Sequence, residues 1–233
     1  MRRIFFIAAF FGFLAASAQK PDWEKTKITG NGNIVTKEVS VGAFDALSVS
    51  GVFELKLLQG SKEQVKIEAD ENLQDLFQVK NEGSNLKIEM KKGVNYTSKK
   101  KIKVYITFRN MKSLNLSMVG NVSTEDKLSF TNLKLENSSV GSVDLDLSAQ
   151  DLDIQNNSVG NMTLSGKAQN AVIRHSGVGS FKASDLLVQS MDIEASGVGS
   201  AEVNAEKQLK VKDSFLGKVR NKGNATPKKK VVI

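Results

Sequence analysis

The sequence predicts an all-β protein: a parallel β-helix of about six coils preceded by a β-rich N-terminal lobe. Three observations support this fold class. A glycine-centred corner recurs at a period of about twenty residues, which is typical of a solenoid. Apolar and polar residues alternate with a period of two over most of the chain, and long helical periodicity is absent after residue 18. Parallel crossover connections are overwhelmingly right-handed, so right-handed winding is favoured.

The first 18 residues have the three parts of a secretory signal peptide. Arg2 and Arg3 form a positive start, and the apolar run that follows is too short for a comfortable membrane span. Ala16-Ser17-Ala18 is a small-residue cleavage site, so we expect an exported protein in the periplasm, at the cell surface or in the medium. Residues 19–29 are polar and aperiodic and predict a flexible leader.

The predicted N-terminal lobe covers residues 30–110 and consists of strands. Asp70 begins one predicted helical turn that runs to Phe77, with Asp70 as its cap. Five segments alternate apolar and polar residues as half-buried strands do: Asn33–Val41, Leu47–Leu58, Gln64–Glu68, Leu86–Met90 and Lys101–Phe108.

The predicted β-helical repeats cover residues 111–233 of the same domain. Each repeat turns at a glycine that is present in all six copies, which predicts a structural turn with positive φ or a close backbone approach. The glycines are Gly120, Gly141, Gly160, Gly179, Gly199 and Gly217, at spacings of 21, 19, 19, 20 and 18 residues.

Three columns of equivalent positions are apolar in every repeat: six before, one before and two after the corner glycine. We expect all three to stack into apolar ladders that no single repeat could bury alone. Ser or Asn stands three before the glycine and predicts a polar ladder that satisfies backbone groups at the bend. The columns seven and five before the glycine are mostly charged or polar and predict a solvated sheet face.

Several of these segments together resemble the head GIN domain family of bacterial proteins, named as putative auto-transporter adhesins. They are Gly51-Val52-Phe53-Glu54-Leu55 ending at Gly60, Asp70-Glu71-Asn72-Leu73, Asn85-Leu86-Lys87-Ile88 and the repeated Ser-Gly-Val-Gly corners, in that order. The resemblance covers the chain from about Gly30 onward, although four of the six corners depart from the family's Ser-Gly-x-Gly pattern. It implies an exported β-helical protein with a binding role and no established catalytic residues.

The composition argues against several kinds of site. The chain has no Cys and one His, which excludes a thiolate metal site and leaves a zinc site or a Ser/His/Asp triad without its residues. That one histidine, His175, is expected to be a buried or bend-side polar residue and not a catalytic base. Gly177-Val178-Gly179 predicts a turn and not a phosphate loop, because no helix follows it. We therefore expect no cofactor.

Charge is the remaining guide to a partner. Without Arg2 and Arg3 the chain has 31 basic and 25 acidic residues, a net charge of +6. This mild bias permits contact with an acidic surface but does not predict a nucleic-acid partner. The short basic runs Lys99-Lys100-Lys101 and Lys228-Lys229-Lys230 are typical of exposed loops that keep a protein soluble. The alternative for them is contact with an anionic glycan or lipopolysaccharide, and Lys99, Lys100 and Lys101 are the candidate ligand-binding residues.

One acidic group is a candidate for chemistry. Glu125, Asp144 and Asp146 are expected to project from neighbouring coils, where carboxylates can hold a weak Ca²⁺ or cleave a polysaccharide. The group does not extend into the next coils, which have Thr, Ser and Lys in those columns, so a solvated face is the favoured interpretation.

The sequence as a whole favours a non-catalytic exported binding or structural module, an adhesin-type envelope protein. A surface glycan or another envelope protein is the expected kind of partner. One alternative is a polysaccharide lyase or glycosidase on a β-helix, but Trp23, Tyr96 and Tyr105 are the only Trp and Tyr residues and none lies in the repeats. The other is a subunit of an envelope assembly that docks through the open end of the solenoid.

Overall fold

The structure, a computed structural model, describes residues 26–213 and 218–229. The predicted signal peptide Met1–Ala18 and the corner glycine Gly217 lie outside these residues. The N-terminal part forms nine strands and a short 3₁₀ helix, Glu71–Leu76, between the fifth and the sixth strand. The strands are β1 Thr26–Thr29, β2 Ile34–Val39, β3 Ala46–Val52, β4 Glu54–Gln59, β5 Gln64–Asp70, β6 Phe77–Glu82, β7 Asn85–Met90, β8 Val94–Thr97 and β9 Lys103–Phe108.

The repeats form longer strands that bend through each coil. They are β10 Ser113–Val119, β11 Val122–Thr124, β12 Leu128–Asn137, β13 Val143–Asn156, β14 Met162–His175, β15 Phe181–Ala195, β16 Ala201–Asp213, β17 Val219–Asn221 and β18 Pro227–Lys229. From β10 onward every strand pairing is parallel, and neighbouring coils keep a nearly constant register. The predicted parallel β-solenoid of about six coils is confirmed.

The N-terminal strands continue the same solenoid. Sixteen of the described strands belong to one sheet, in which β3 lies between β7 and β10, and β4 lies between β9 and β11. The coil made by β3 and β4 therefore has a later part of the chain on each side of it. The predicted boundary between residues 110 and 111 is not a break in the sheet. Antiparallel strands close this end of the molecule: β2 and β5 on one face, β6 on the other.

Two of the three predicted apolar columns form the core. The residues six before the glycine are at most 5% exposed: Leu114, Leu135, Ile154, Ile173, Ile193 and Val211. The residues at the second position after the glycine are also buried: Val122, Val143, Met162, Phe181 and Ala201. The last member of this column, Val219, is half buried. Equivalent side chains sit one above another at about 4.8 Å, the spacing of hydrogen-bonded strands, and exclude water together.

The N-terminal region differs from expectation in several places. Residues 26–29 of the predicted leader form β1, which pairs in parallel with β8. The predicted helical turn is the 3₁₀ helix, but Asp70 does not cap it through its side chain. Its buried carboxylate accepts hydrogen bonds from the backbone N–H of Gly32 (2.6 Å) and from Ser98 Oγ instead. Strands β6 and β8 were not expected, and the segment Leu47–Leu58, predicted as one strand, is divided between β3 and β4. No helix within the described ranges is long and apolar enough to cross a membrane.

Candidate functional site

The corner glycines are required by geometry. Gly120, Gly141, Gly160, Gly179 and Gly199 have φ between 133° and 144°, where side chains other than hydrogen are strained. A Cβ on Gly160 would lie 2.1 Å from the carbonyl oxygen of Gly141 on the neighbouring coil. Both reasons expected from the sequence, positive φ and close backbone approach, therefore apply at each described corner.

The third apolar column is on the outside, and the prediction of a buried ladder there is wrong. The described valines one before the glycine, together with Val52, which pairs in register with the first of them, are about half exposed, between 47% and 54%: Val52, Val119, Val140, Val159, Val178 and Val198. They pair in register across the coils. We call this set the valine row. Side chains alternate in and out through the corner, and the valine is one residue out of phase with the inward positions.

The polar ladder at the bend also lies one position away from where it was expected. The described Ser and Asn residues three before the glycine are exposed, although Ser176 Oγ donates to Asn157 Oδ1 on the neighbouring coil. Three consecutive members of the column four before it are polar, buried and bonded to each other: Asn137 Nδ2 donates to Asn156 Oδ1 (2.8 Å), and Asn156 Nδ2 lies 2.9 Å from His175 Nδ1. Asn137 Oδ1 also accepts from the backbone N–H of Ser139 (3.2 Å). His175 is thus a buried polar residue of the bend, as predicted, and burial lowers its pKa.

The predicted acidic group does not assemble. Asp144 lies beside Ser123 and Thr163 in the sheet, and Asp146 lies 3.6 Å from the ammonium of Lys127. Strand β11 ends at Thr124, so the register does not carry Glu125 to a place beside Asp146. In the part of the chain that the structure describes, no three His, Cys, Asp or Glu side chains form a group that could hold a metal ion.

The basic loop is exposed, and its lysines differ in their partners. Lys101 Nζ lies 2.6 Å from Glu54 Oε1. The backbone N–H of Lys100 donates to Ser98 Oγ (3.3 Å), which holds the loop in place. Lys99 and Lys100 are exposed and make no ion pair within the described ranges.

The described residues also form a cleft that sequence analysis did not find. Its volume is about 880 Å³, within the range of roughly 300–1,000 Å³ that is usual for small-molecule sites. Loops of the N-terminal region and the start of β12 form its walls. It is lined by Ala43, Phe44, Asp45, Gln59, Glu63, Ser84, Arg109, Asn110, Met111, Lys112, Ser129, Phe130, Thr131, Asn132 and Ser148.

One glutamine fixes the walls of the cleft. Gln59 Nε2 donates to the backbone carbonyls of Arg109 and Ser129, both at 3.0 Å, and Gln59 Oε1 accepts from the N–H of Ser129 (2.8 Å). Phe130 is half buried, and its ring stacks on Phe108 with centroids 6.1 Å apart and an angle of 15°. The cleft therefore has rigid polar walls and an aromatic side chain.

The charges in the cleft are paired. Arg109 Nε lies 2.8 Å from Glu63 Oε1, and Lys112 Nζ lies 2.7 Å from Asp45 Oδ2. The hydrogen bond from Arg109 lowers the pKa of Glu63, and the one from Lys112 lowers the pKa of Asp45. Both carboxylates are thus ionised at neutral pH. Since Arg109 uses Nε for Glu63, its two terminal nitrogens have no protein partner among the described residues.

The stacked parallel coils define a β-solenoid repeat protein. The chain belongs to the family described as putative auto-transporter adhesin, head GIN domain, whose model matches residues 43–225. The resemblance noted in the sequence is thereby confirmed.

Solved structures have the same fold. A putative adhesin from Bacteroides fragilis NCTC 9343 is 28% identical with a TM-score of 0.73, over 87% of this chain and 99% of that one. A putative adhesin from Parabacteroides merdae ATCC 43184 is 18% identical with a TM-score of 0.55, over 88% and 100% of the two chains. A putative lipid binding protein from Parabacteroides distasonis ATCC 8503 is 19% identical with a TM-score of 0.58, over 88% and 100%. A comparison with curated proteins gives no match.

Proposed function

We propose that this protein is an exported, non-catalytic binding module of the adhesin type, and that its cleft takes a surface glycan. The family description supports an adhesin-like role. Export rests on the predicted signal peptide, and the residues of the cleft support the class of ligand.

The chemistry of the cleft suits a ligand rich in hydroxyl groups. Sugars present many donors and acceptors around a ring with an apolar face, so they need planar polar side chains and an aromatic side chain. The two terminal nitrogens of Arg109 and the side-chain amide of Asn132 supply the polar groups, and Phe130 supplies the ring. The two ion pairs leave the cleft without net charge, which favours a neutral sugar over an acidic one.

The proposal of binding without cleavage rests on the ionised state of two carboxylates in the cleft, Glu63 and Asp45. Glycoside hydrolysis needs one carboxyl group with a raised pKa as the general acid. Glu63 and Asp45 have pKa values shifted the other way, by Arg109 and Lys112. Neither is protonated at neutral pH, and neither is suited to protonate a leaving group.

The test is a glycan array and a hydrolysis assay with the purified exported protein. We expect saturable binding to neutral glycans and no turnover. Asn132→Ala and Phe130→Leu should each weaken binding at least fivefold. Asn170→Ala is the matched control, because Asn132, Asp151 and Asn170 occupy one column and Asn170 lies outside the cleft.

Two results would contradict the proposal. Turnover of a polysaccharide that disappears in a folded Glu63→Gln variant would support the enzyme alternative. Equal losses of binding in Asn132→Ala and Asn170→Ala would place the ligand elsewhere.

A further inference from the structure

A second, smaller pocket lies where the basic loop meets the first corners of the solenoid. We call it the lysine pocket and define it by Val52, Phe53, Tyr96, Lys100, Ile102 and Val119. Its volume is about 310 Å³, at the lower end of the range of roughly 300–1,000 Å³ for small-molecule sites. It shares no residue with the cleft.

The inner surface of the lysine pocket is apolar and rigid. Phe53 and Ile102 are 4% and 5% exposed and belong to the core of the solenoid. The hydroxyl of Tyr96 donates to the backbone carbonyl of Val52 (2.7 Å), which holds the aromatic ring in place. Val52 and Val119, the first two members of the valine row, are half exposed and leave an apolar rim open to solvent.

The basic loop at the mouth of the pocket has a net positive charge. Lys101 is neutralised by Glu54, which lines the pocket with it, and the buried carboxylate of Asp70 interacts electrostatically with Lys100 without forming an ion pair. Three lysines against these two carboxylates leave a net charge of +1. Lys100 lines the pocket itself, with its backbone held by Ser98, so a cation stands over an apolar floor.

We propose that the lysine pocket binds a single-chain anionic amphiphile, with its alkyl chain on Phe53, Ile102 and Tyr96 and its head group at Lys100. Contact with the apolar floor removes the alkyl chain from water, which stabilises the complex. The ammonium of Lys100 pairs with a carboxylate or phosphate head group. A pocket of this volume takes one chain and not the surface of a bilayer. This site is independent of the glycan cleft, so either proposal can fail alone.

The experiment is isothermal titration of the purified exported protein with amphiphiles below their micellar concentration. Dodecanoate and dodecyl phosphate test the anionic head, dodecyl maltoside has the same chain with a neutral head, and phosphatidylglycerol vesicles test a bilayer. We expect saturable binding of both anionic probes with one site per chain, at least tenfold weaker binding of the maltoside, and no binding to vesicles.

The valine row supplies a matched pair of variants. Val119→Asn places a polar group at the rim and should weaken dodecanoate binding at least fivefold. Val198→Asn makes the same change in the same column at a similar exposure, but outside the pocket, and should leave binding unchanged. Lys100→Gln should weaken the anionic probes at least fivefold and leave the maltoside unaffected.

Three results would overturn the proposal: equal effects of the two valine substitutions, binding that does not distinguish dodecanoate from the maltoside, or vesicle binding that Lys100→Gln does not change. Melting temperatures of all variants should match that of the unmodified protein, because the changed side chains are all exposed.

Discussion

Two columns of the repeat look alike in sequence and have opposite environments. Both the column six before the corner glycine and the column one before it are apolar in every copy. The first is at most 5% exposed, whereas the described members of the second are between 47% and 54% exposed. The difference follows from parity: positions at even distances from the glycine face inward and those at odd distances face outward, straight through the bend. Apolar character identifies a repeat, and parity decides which of its columns is core.

The largest effect that tests this comparison comes from one charge placed in each column of the same coil. Ile154→Asp puts a carboxylate where nothing can pair with it and should destabilise the protein by about 4 kcal/mol or more. Val159→Asp leaves its carboxylate in solvent and should cost under about 0.5 kcal/mol. Urea unfolding followed by circular dichroism measures both, and equal losses would contradict the assignment of inside and outside.

A smaller effect tests the corner glycine that follows the two columns. Gly160→Ala meets both a positive φ of 140° and the carbonyl oxygen of Gly141 at 2.1 Å, so we expect a loss of about 2–4 kcal/mol. Gly83→Ala is the control, because Gly83 has a φ of 62° with nothing within 4 Å of a Cβ. It should lose only about 1 kcal/mol. Thermal melts that shift equally would show that backbone strain alone, and not the stacking of coils, requires the corner glycine.

The smallest effect concerns the inward side of the next corner, at His175. Burial lowers the pKa of His175, so the unfolded chain takes up a proton at a higher pH than the folded chain does. The stability is therefore complete above the ordinary histidine pKa of about 6.5 and falls as the pH drops below it, by at most about 1.4 kcal/mol per pH unit. Urea unfolding between pH 7.5 and 5 measures this loss.

His175→Asn supplies the control for that measurement. It removes the only histidine of the chain and continues the ladder of Asn137 and Asn156. The pH dependence in this range should then become flatter. An unchanged slope would assign it to other groups.

The features that recur in every repeat could be predicted from the sequence. The corners, the two core columns and the outward charged columns all follow from residues that recur at the same offset. The cleft could not be predicted in this way, because Asp45, Glu63, Arg109 and Phe130 come from four segments without a common period. Their meeting depends on the insertion of the β3–β4 coil between later strands, which no local pattern signals. The predicted position of Glu125 beside Asp146 was wrong for a related reason, because it assumed that β11 continued past Thr124.

The interleaved strand order at the N-terminal end also bears on how the chain folds. The β3–β4 coil pairs with residues 85–108 on one side and with residues 113–124 on the other. These pairings can form only after both later segments are in place, so the whole block must assemble together. Each later coil stacks on the coil made about twenty residues earlier, a short loop to close. We therefore expect the N-terminal block to form slowly as a nucleus and the later coils to add to it one at a time. Unfolding then begins at the C-terminal coils and reaches the interleaved block last, as a single cooperative step.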